Sequence, residues 1–164
     1  MNGVRIGNGI DVHRFDMSEA EDSSFILGGV TIPHQFRLLA HSDGDVLTHA
    51  LMDAMLGALA LGDIGTHFPD TDERYRGISS MELLEIVRHL IIEKGWQIGN
   101  ADMTIVAQAP KIAPHVAAIC TSLSRALSVR QDQISVKATT TETLGFTGRG
   151  EGIAVYATVL LVSA

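Results

Sequence analysis

From Ser79 to Val162 the apolar residues switch repeatedly between two spacings, and that switching constrains the fold more than any single motif. Leu83, Leu84, Val87, Leu90 and Ile91 recur at helical spacing behind Ser79 and Glu82, a capping-box pair. Gly95 stands where a left-handed residue stops such a helix. Ala101, Met103, Ile105 and Ala107 then alternate as a strand does. Pro114 suits the first turn of another helix through Val116, Ile119, Leu123 and Leu127. Ile134, Val136 and Ala138, and later Ile153 to Val162, predict two more strands.

Upstream, Val4, Ile6, Ile10 and Val12 alternate with Arg5, Asp11 and His13, which predicts a half-buried strand running into a loop. Phe25 to Pro33, centred on Gly28-Gly29, reads as a short hairpin or bulged strand. After Ser42 and Asp45 the spacing becomes helical through Val46, Leu47, Ala50, Leu51, Ala54 and Leu56, to about Leu61. Gly62 to Gly77 holds glycines, a proline and acidic residues, and reads as a loop long enough to be functional. The order is strand, hairpin, helix, helix, strand, helix, strand, strand, with no repeat and no linker. One α+β domain over residues 1–164 is expected, in two layers, with helices packed on one face of a mostly antiparallel or mixed sheet.

Composition narrows the function. At 164 residues and 46% hydrophobic the chain can bury a core, which excludes a disordered reading. Twelve Lys and Arg against 19 Asp and Glu give −7, a balance that repels phosphate backbones, so no nucleic-acid partner is expected. Few aromatics are present, so the core is aliphatic, and the mean hydropathy of +0.21 points to self-association. Cys120 is alone, so neither an intramolecular disulfide nor a thiolate cluster can form. A cytoplasmic setting is expected, and any metal must use His and carboxylates. Met1 to His13 carries no apolar signal segment, and Ile153 to Val162 is too short to span a bilayer, so no membrane role is expected.

Five constellations carry candidate chemistry. Asp11 and His13, two apart in a strand, share a face and suit a metal pair, although so short a motif alone reads equally well as a surface Asp and His. His41-Ser42-Asp43-Gly44-Asp45 leads into His49, one helical turn on, and two His with one Asp form the open donor set of catalytic zinc. Taken singly, Ser42 and Asp45 are ordinary caps and His49 a helix-face histidine. Gly62-Asp63-Ile64-Gly65 with Phe68-Pro69-Asp70-Thr71-Asp72 suits a polyol, or is a solvated acidic turn; its spacing does not match an EF-hand. Ala107-Gln108-Ala109-Pro110-Lys111 leaves a strand for a helix, where exposed backbone can read a base, or simply turns. Lys137 to Gly152 offers hydroxyls, Glu142 and a glycine-rich turn, suited to phosphate and a hard cation, or to a tight hairpin. It is not a P-loop.

Together, in this order, Ile6 to His13, His41 to Asp45, Gly62 to Gly65, Phe68 to Asp72, Ala107 to Lys111 and Lys137 to Gly152 closely resemble the 2-C-methyl-D-erythritol 2,4-cyclodiphosphate synthase family over nearly the whole chain. The resemblance implies a homotrimer of the non-mevalonate isoprenoid pathway with active sites between subunits. It implies conversion of 4-diphosphocytidyl-2-C-methyl-D-erythritol 2-phosphate to the cyclic diphosphate with release of CMP, a phosphorus-oxygen lyase reaction. By motif, it implies Asp11, His13 and His49 as zinc ligands and Glu142 as the holder of magnesium or manganese. It implies His41 and Thr140 in steadying the transition state and Ser42 beside the phosphates, with Asp11 and His13 also near substrate. Asp63, Ile64, Gly65, Phe68, Pro69, Asp70, Thr71 and Asp72 would line the methylerythritol. Ala107, Gln108, Ala109, Pro110, Lys111, Ile112 and Ala113, with Thr139, Thr140, Thr141 and Glu142, would form the cytidine diphosphate pocket, and Phe146 and Arg149 fall on further substrate positions. A metal-dependent nucleotide-diphosphate hydrolase and a trimeric binding module are the alternatives.

Overall fold

Gly7 and Gly9 set how the two layers meet. In the computed structural model, which describes residues 3–18, 23–40, 42–69, 71–75 and 77–164, both lie in strand β1 (Val4–Asp16) beneath helix α1 (Val46–Ala58). A Cβ on Gly7 would sit 1.8 Å from the Ala54 carbonyl oxygen, and one on Gly9 2.1 Å from that of Ala50. Only glycine admits so close a helix. This reverses the phase expected for the strand. Val4, Ile6, Ile10 and Val12 point away from the helices and stay 63%, 70%, 52% and 49% exposed. Gly7, Gly9, Asp11, His13 and Phe15 alternate onto the covered face.

β1 pairs antiparallel along most of its length with β7 (Gly152–Ser163), and β7 pairs antiparallel with β5 (Trp96–Val106). β5 runs parallel to β6 (Ile134–Thr139), and the two-residue β4 (Arg37–Leu38) joins the outer edge of β1. The sheet order is therefore β4-β1-β7-β5-β6, mixed but mostly antiparallel, as expected. β2 (Ser24–Leu27) and β3 (Val30–Pro33) form the separate hairpin predicted around Gly28-Gly29.

α1, α3 (Ser80–Glu93) and α4 (Val116–Leu127) supply the second layer. Leu47, Leu51, Leu84, Ile91, Ile119 and Leu123 pack with Met103, Ile105, Val155 and Val159 in an aliphatic core. Each such side chain contributes about 1.5–3 kcal/mol on burial. α3 begins and stops as expected: the Ser79 hydroxyl accepts from Met81 N, and Gly95 takes φ +81°. α1 begins at Asp45, whose side chain accepts from Thr48 N, and ends at Ala58, short of Leu61, because Ala60 turns left-handed at φ +55°.

The segment Gly62–Gly77 differs from the plain loop expected. It contains α2 (Ile64–His67), capped by Asp63, and a 3-10 turn at Glu73–Tyr75. α5 (Gly145–Gly148) likewise occupies the glycine-rich turn. Helical pieces of three or four residues are too short to leave a period in the sequence. Among the described residues no helix is long and apolar enough to cross a membrane.

Candidate active site

Strand alternation delivers Asp11 and His13 side by side, and the first turn of α1 lowers His49 onto them. Asp11 Oδ2 lies 3.0 Å from His13 Nε2 and 3.2 Å from His49 Nδ1, and the three donor atoms all fall within 4.8 Å of one another. Zinc bonds of 2.0–2.1 Å at tetrahedral angles separate ligand atoms by about 3.3 Å. The two measured spacings come close to that edge length, and two imidazoles with one carboxylate form the donor set of an open zinc site. The residues present therefore fit the group.

The nitrogens turned away from Asp11 are also partnered. His13 Nδ1 lies 3.2 Å from the Gly44 carbonyl oxygen, and His49 Nε2 lies 2.8 Å from Ser80 Oγ. Burial alone would raise the Asp11 carboxyl, but hydrogen bonds to His13 and His49, and their charges, outweigh it and hold the group well below the usual carboxylate range. Burial pushes the His49 imidazole down, yet the hydrogen bond to Asp11 and the charges of Asp11, Asp45 and Asp43 raise it above its ordinary value.

The triad opens onto a cavity of about 530 Å³ that Ser42, Ile64, Gly65, Phe68 and Asp72 also line. Asp63 is exposed and does not line it: its Oδ1 accepts from Thr66 N and Thr66 Oγ1, both at 2.8 Å, and caps α2. The Pro69 carbonyl accepts from Asp72 N at 2.9 Å, closing a turn around Thr71, and Asp72 pairs with Arg74 at 2.6 Å. His41 and Asp70 lie outside the described residues.

A second group gathers where β5 and β6 end. Ala107 N donates to the Thr139 carbonyl at 3.0 Å, and Thr143 N to Gln108 Oε1 at 3.4 Å, which joins the two predicted nucleotide segments. Gln108, Ala109, Lys111 and Ala113 are exposed, Ala109-Pro110 is a cis peptide bond, and Ile112 turns its side chain into the core. Thr140 Oγ1 donates to Glu142 Oε1 at 2.7 Å, and Thr141 Oγ1 lies 3.0 Å from Thr147 Oγ1. Glu142 and Thr143 take φ +51° and +67°, a region that side-chain-bearing residues seldom enter and that recurs at ligand sites. Phe146 is exposed on α5, and Arg149 pairs with Glu151 at 2.6 Å on the surface.

The two groups do not share one cavity. No residue from Ala107 to Ala113 or from Thr139 to Arg149 lines the space beside the triad. In the sheet order, β1 and β6 stand three strand spacings apart, about 14 Å.

Asp43, Asp53 and Ser80 have roles that sequence reasoning did not assign, and Asp45 does more than the helix cap expected of it. Asp45 is fully buried and accepts from Gly28 N, Gly29 N, Thr48 N and Thr48 Oγ1 at 2.8–3.0 Å, tying the β2–β3 turn to the start of α1. Asp53 Oδ1 accepts from Ile64 N at 2.8 Å and pins the cavity wall to α1. Burial pushes its carboxyl up. Its position one turn beyond His49, on an otherwise apolar helix face, was the available signal. Asp43 and Ser80 meet behind His49 across 37 residues, a pairing without local signature.

The YgbB family model matches residues 4–162. The 2-C-methyl-D-erythritol 2,4-cyclodiphosphate synthase of Azotobacter vinelandii is 62% identical over 160 residues, covering 98% of this chain and 99% of its own length. That of Pseudomonas syringae pv. syringae is 62% identical over 161 residues, 98% of this chain and all of its own. Among solved structures, the bifunctional IspDF of Campylobacter jejuni superposes with a TM-score of 0.92 at 43% identity; it covers all of this chain, which spans 43% of that longer protein. A CDP complex of IspF from Plasmodium falciparum gives 0.85 at 39% identity, covering 99% and 98%. The chain belongs to the YgbB family, that of the 2-C-methyl-D-erythritol 2,4-cyclodiphosphate synthases.

Proposed function

We propose that the chain cyclises 4-diphosphocytidyl-2-C-methyl-D-erythritol 2-phosphate to the 2,4-cyclodiphosphate with release of CMP, as a step of isoprenoid precursor synthesis in the cytoplasm. The observation that carries this reading is the Asp11, His13 and His49 donor set, spaced for zinc and open to a cavity of substrate size. Zinc held there, with magnesium or manganese held by Glu142, supplies positive charge that neutralises and aligns the diphosphate.

The chain's own residues position the reactants. Ser42 borders the phosphates, and Asp63 to Gly65 with Phe68 to Asp72 enclose the methylerythritol. Ala107 to Ala113 and Thr139 to Glu142 hold the cytidine diphosphate, with Phe146 and Arg149 beside it. His41 and Thr140 steady the charge that develops at phosphorus. The attacking 2-phosphate oxygen is already anionic, so no side chain has to remove its proton. Holding both ends of one substrate removes the entropy that a free chain would keep.

We place the working site between copies of a homotrimer. In support, no nucleotide segment lines the cavity beside the triad, and β1 and β6 stand about 14 Å apart within one chain. Val4, Ile6, Ile10, Val12 and Tyr156 also leave an apolar sheet face uncovered in the single chain. Phosphorus NMR of the purified protein with zinc, magnesium and substrate tests the function. Cyclic diphosphate plus CMP, abolished by chelation and restored by metal, is the expected result. Acyclic phosphate products would make it a hydrolase, and nucleotide binding without turnover would make it a binding module.

A further inference from the structure

His49 faces the donor cluster with one ring nitrogen and the protein interior with the other. Nδ1 lies 3.2 Å from Asp11 Oδ2, and Nε2 lies 2.8 Å from Oγ of Ser80, a fully buried residue that opens α3. Ser42 Oγ is also near Nε2, but at 3.4 Å. Ser80 is in turn held at both its polar groups by Asp43: its amide donates to Oδ2 at 2.8 Å, and its hydroxyl donates to Oδ1 in a short contact.

Direction follows from counting protons. A serine hydroxyl has one proton, and a carboxylate can only accept. With the Ser80 proton committed to Asp43, the Ser80 oxygen is left as an acceptor, so the proton between it and His49 belongs to Nε2. Nδ1 is then the nitrogen that gives up its proton, otherwise shared with Asp11, and offers its lone pair when metal binds, and it is Nδ1 that faces Asp11 and His13. We propose that Asp43 and Ser80 are positioning residues that fix the His49 tautomer and ring plane for metal binding through Nδ1. The inference rests on the reading of Asp11, His13 and His49 as metal ligands.

The same short turn steers the other imidazole. The carbonyl of Gly44, next to Asp43, faces His13 Nδ1 at 3.2 Å and leaves Nε2 for the metal. Outer partners of this kind set ligand orientation, and their removal weakens metal affinity by about 10- to 100-fold.

Two variants separate positioning from mere anchoring of α3. Ser80→Ala deletes the oxygen that accepts from Nε2. Asp43→Asn is nearly isosteric, but its amide group can donate to Ser80 Oγ, freeing the hydroxyl proton to point at His49. The readouts are zinc affinity by chelator competition and the imidazole nitrogen NMR signals of His49 in zinc-loaded protein. The expected result is a slowly exchanging Nε2 proton in the parent, lost or broadened in both variants, with zinc binding weakened about 10- to 100-fold in each. Should Ser80→Ala fail to fold, Asp43→Asn and the parent spectrum still decide. Zinc affinities within about twofold of the parent, or a parent His49 protonated at Nδ1 with zinc bound, overturn the inference. A parent that binds no zinc overturns the metal reading itself.

Discussion

Replacing Gly9 with alanine couples the packing of the two layers to the metal site. The new Cβ would meet the Ala50 carbonyl oxygen at 2.1 Å, against a floor of 3.0 Å for real Cβ contacts, so α1 must retreat from β1 by about 0.9 Å. His49 neighbours Ala50 on α1, and Asp11 is two residues from Gly9 on β1. The retreat therefore widens the Asp11–His49 spacing from 3.2 Å to about 4 Å, beyond the roughly 3.3 Å edge of a tetrahedral zinc site. Overpacking of this kind costs about 1–3 kcal/mol, which at this chain length lowers Tm by about 3–10 °C. Zinc affinity should fall more than about a hundredfold, because metal-ligand distances tolerate only some 0.2 Å. Gly7→Ala is the control: its clash, 1.8 Å from the Ala54 carbonyl oxygen, is worse, but it lies farther along β1 from Asp11. It should cost at least as much stability and less zinc affinity. Thermal melts of metal-free protein and chelator competition read the two effects. Parent-like zinc affinity in Gly9→Ala, or equal zinc loss in both variants, would refute the reasoning.

Asp45→Ala leaves four donors around Gly28, Gly29 and Thr48 without their acceptor and should cost about 3–5 kcal/mol in urea unfolding; a loss under about 1 kcal/mol would remove Asp45 from the framework. pH should act in opposite directions on the two metal states. In metal-free protein, His49 is raised by its pairing with Asp11, so that stabilisation is complete below the unfolded imidazole value of about 6.5 and is lost as pH rises through the folded value. Metal-free Tm should therefore fall as pH rises above about 6.5, while zinc affinity climbs because the imidazole must be deprotonated to bind. Parallel trends in the two quantities would contradict this.

The long periodic segments were legible in the sequence because burial imposes their period. α3 ran from its Ser79 cap to Gly95 as expected, and the strands at Ile134 and Ile153 fell where their alternation put them. β1 was found but its phase was not. Apolar alternation normally marks the covered face, whereas here Gly7 and Gly9 lie under α1 and the aliphatic residues face outward. Glycine carries no hydropathy signal, so close approach is invisible to periodicity. The triad was legible because each part sits in a local pattern, Asp11 and His13 two apart in a strand and His49 one turn past a cap. Asp43 with Ser80, 37 residues on, and Asp53 with Ile64, in the turn after α1, follow no periodic pattern, and only the fold brings them together.

The central claim is that the metal half and the nucleotide half of the site act together although they lie on different copies of the chain. His49→Ala disables only the first half and Glu142→Ala only the second, so each should be inactive alone. Unfolding and refolding an equal mixture distributes the chains among trimers, and a site is intact when its metal half comes from one variant and its nucleotide half from the other. The mixture should then form cyclic diphosphate, followed by phosphorus NMR, at about a quarter of the parent rate. A refolded, trimeric mixture that stays as inactive as its components would contradict the account.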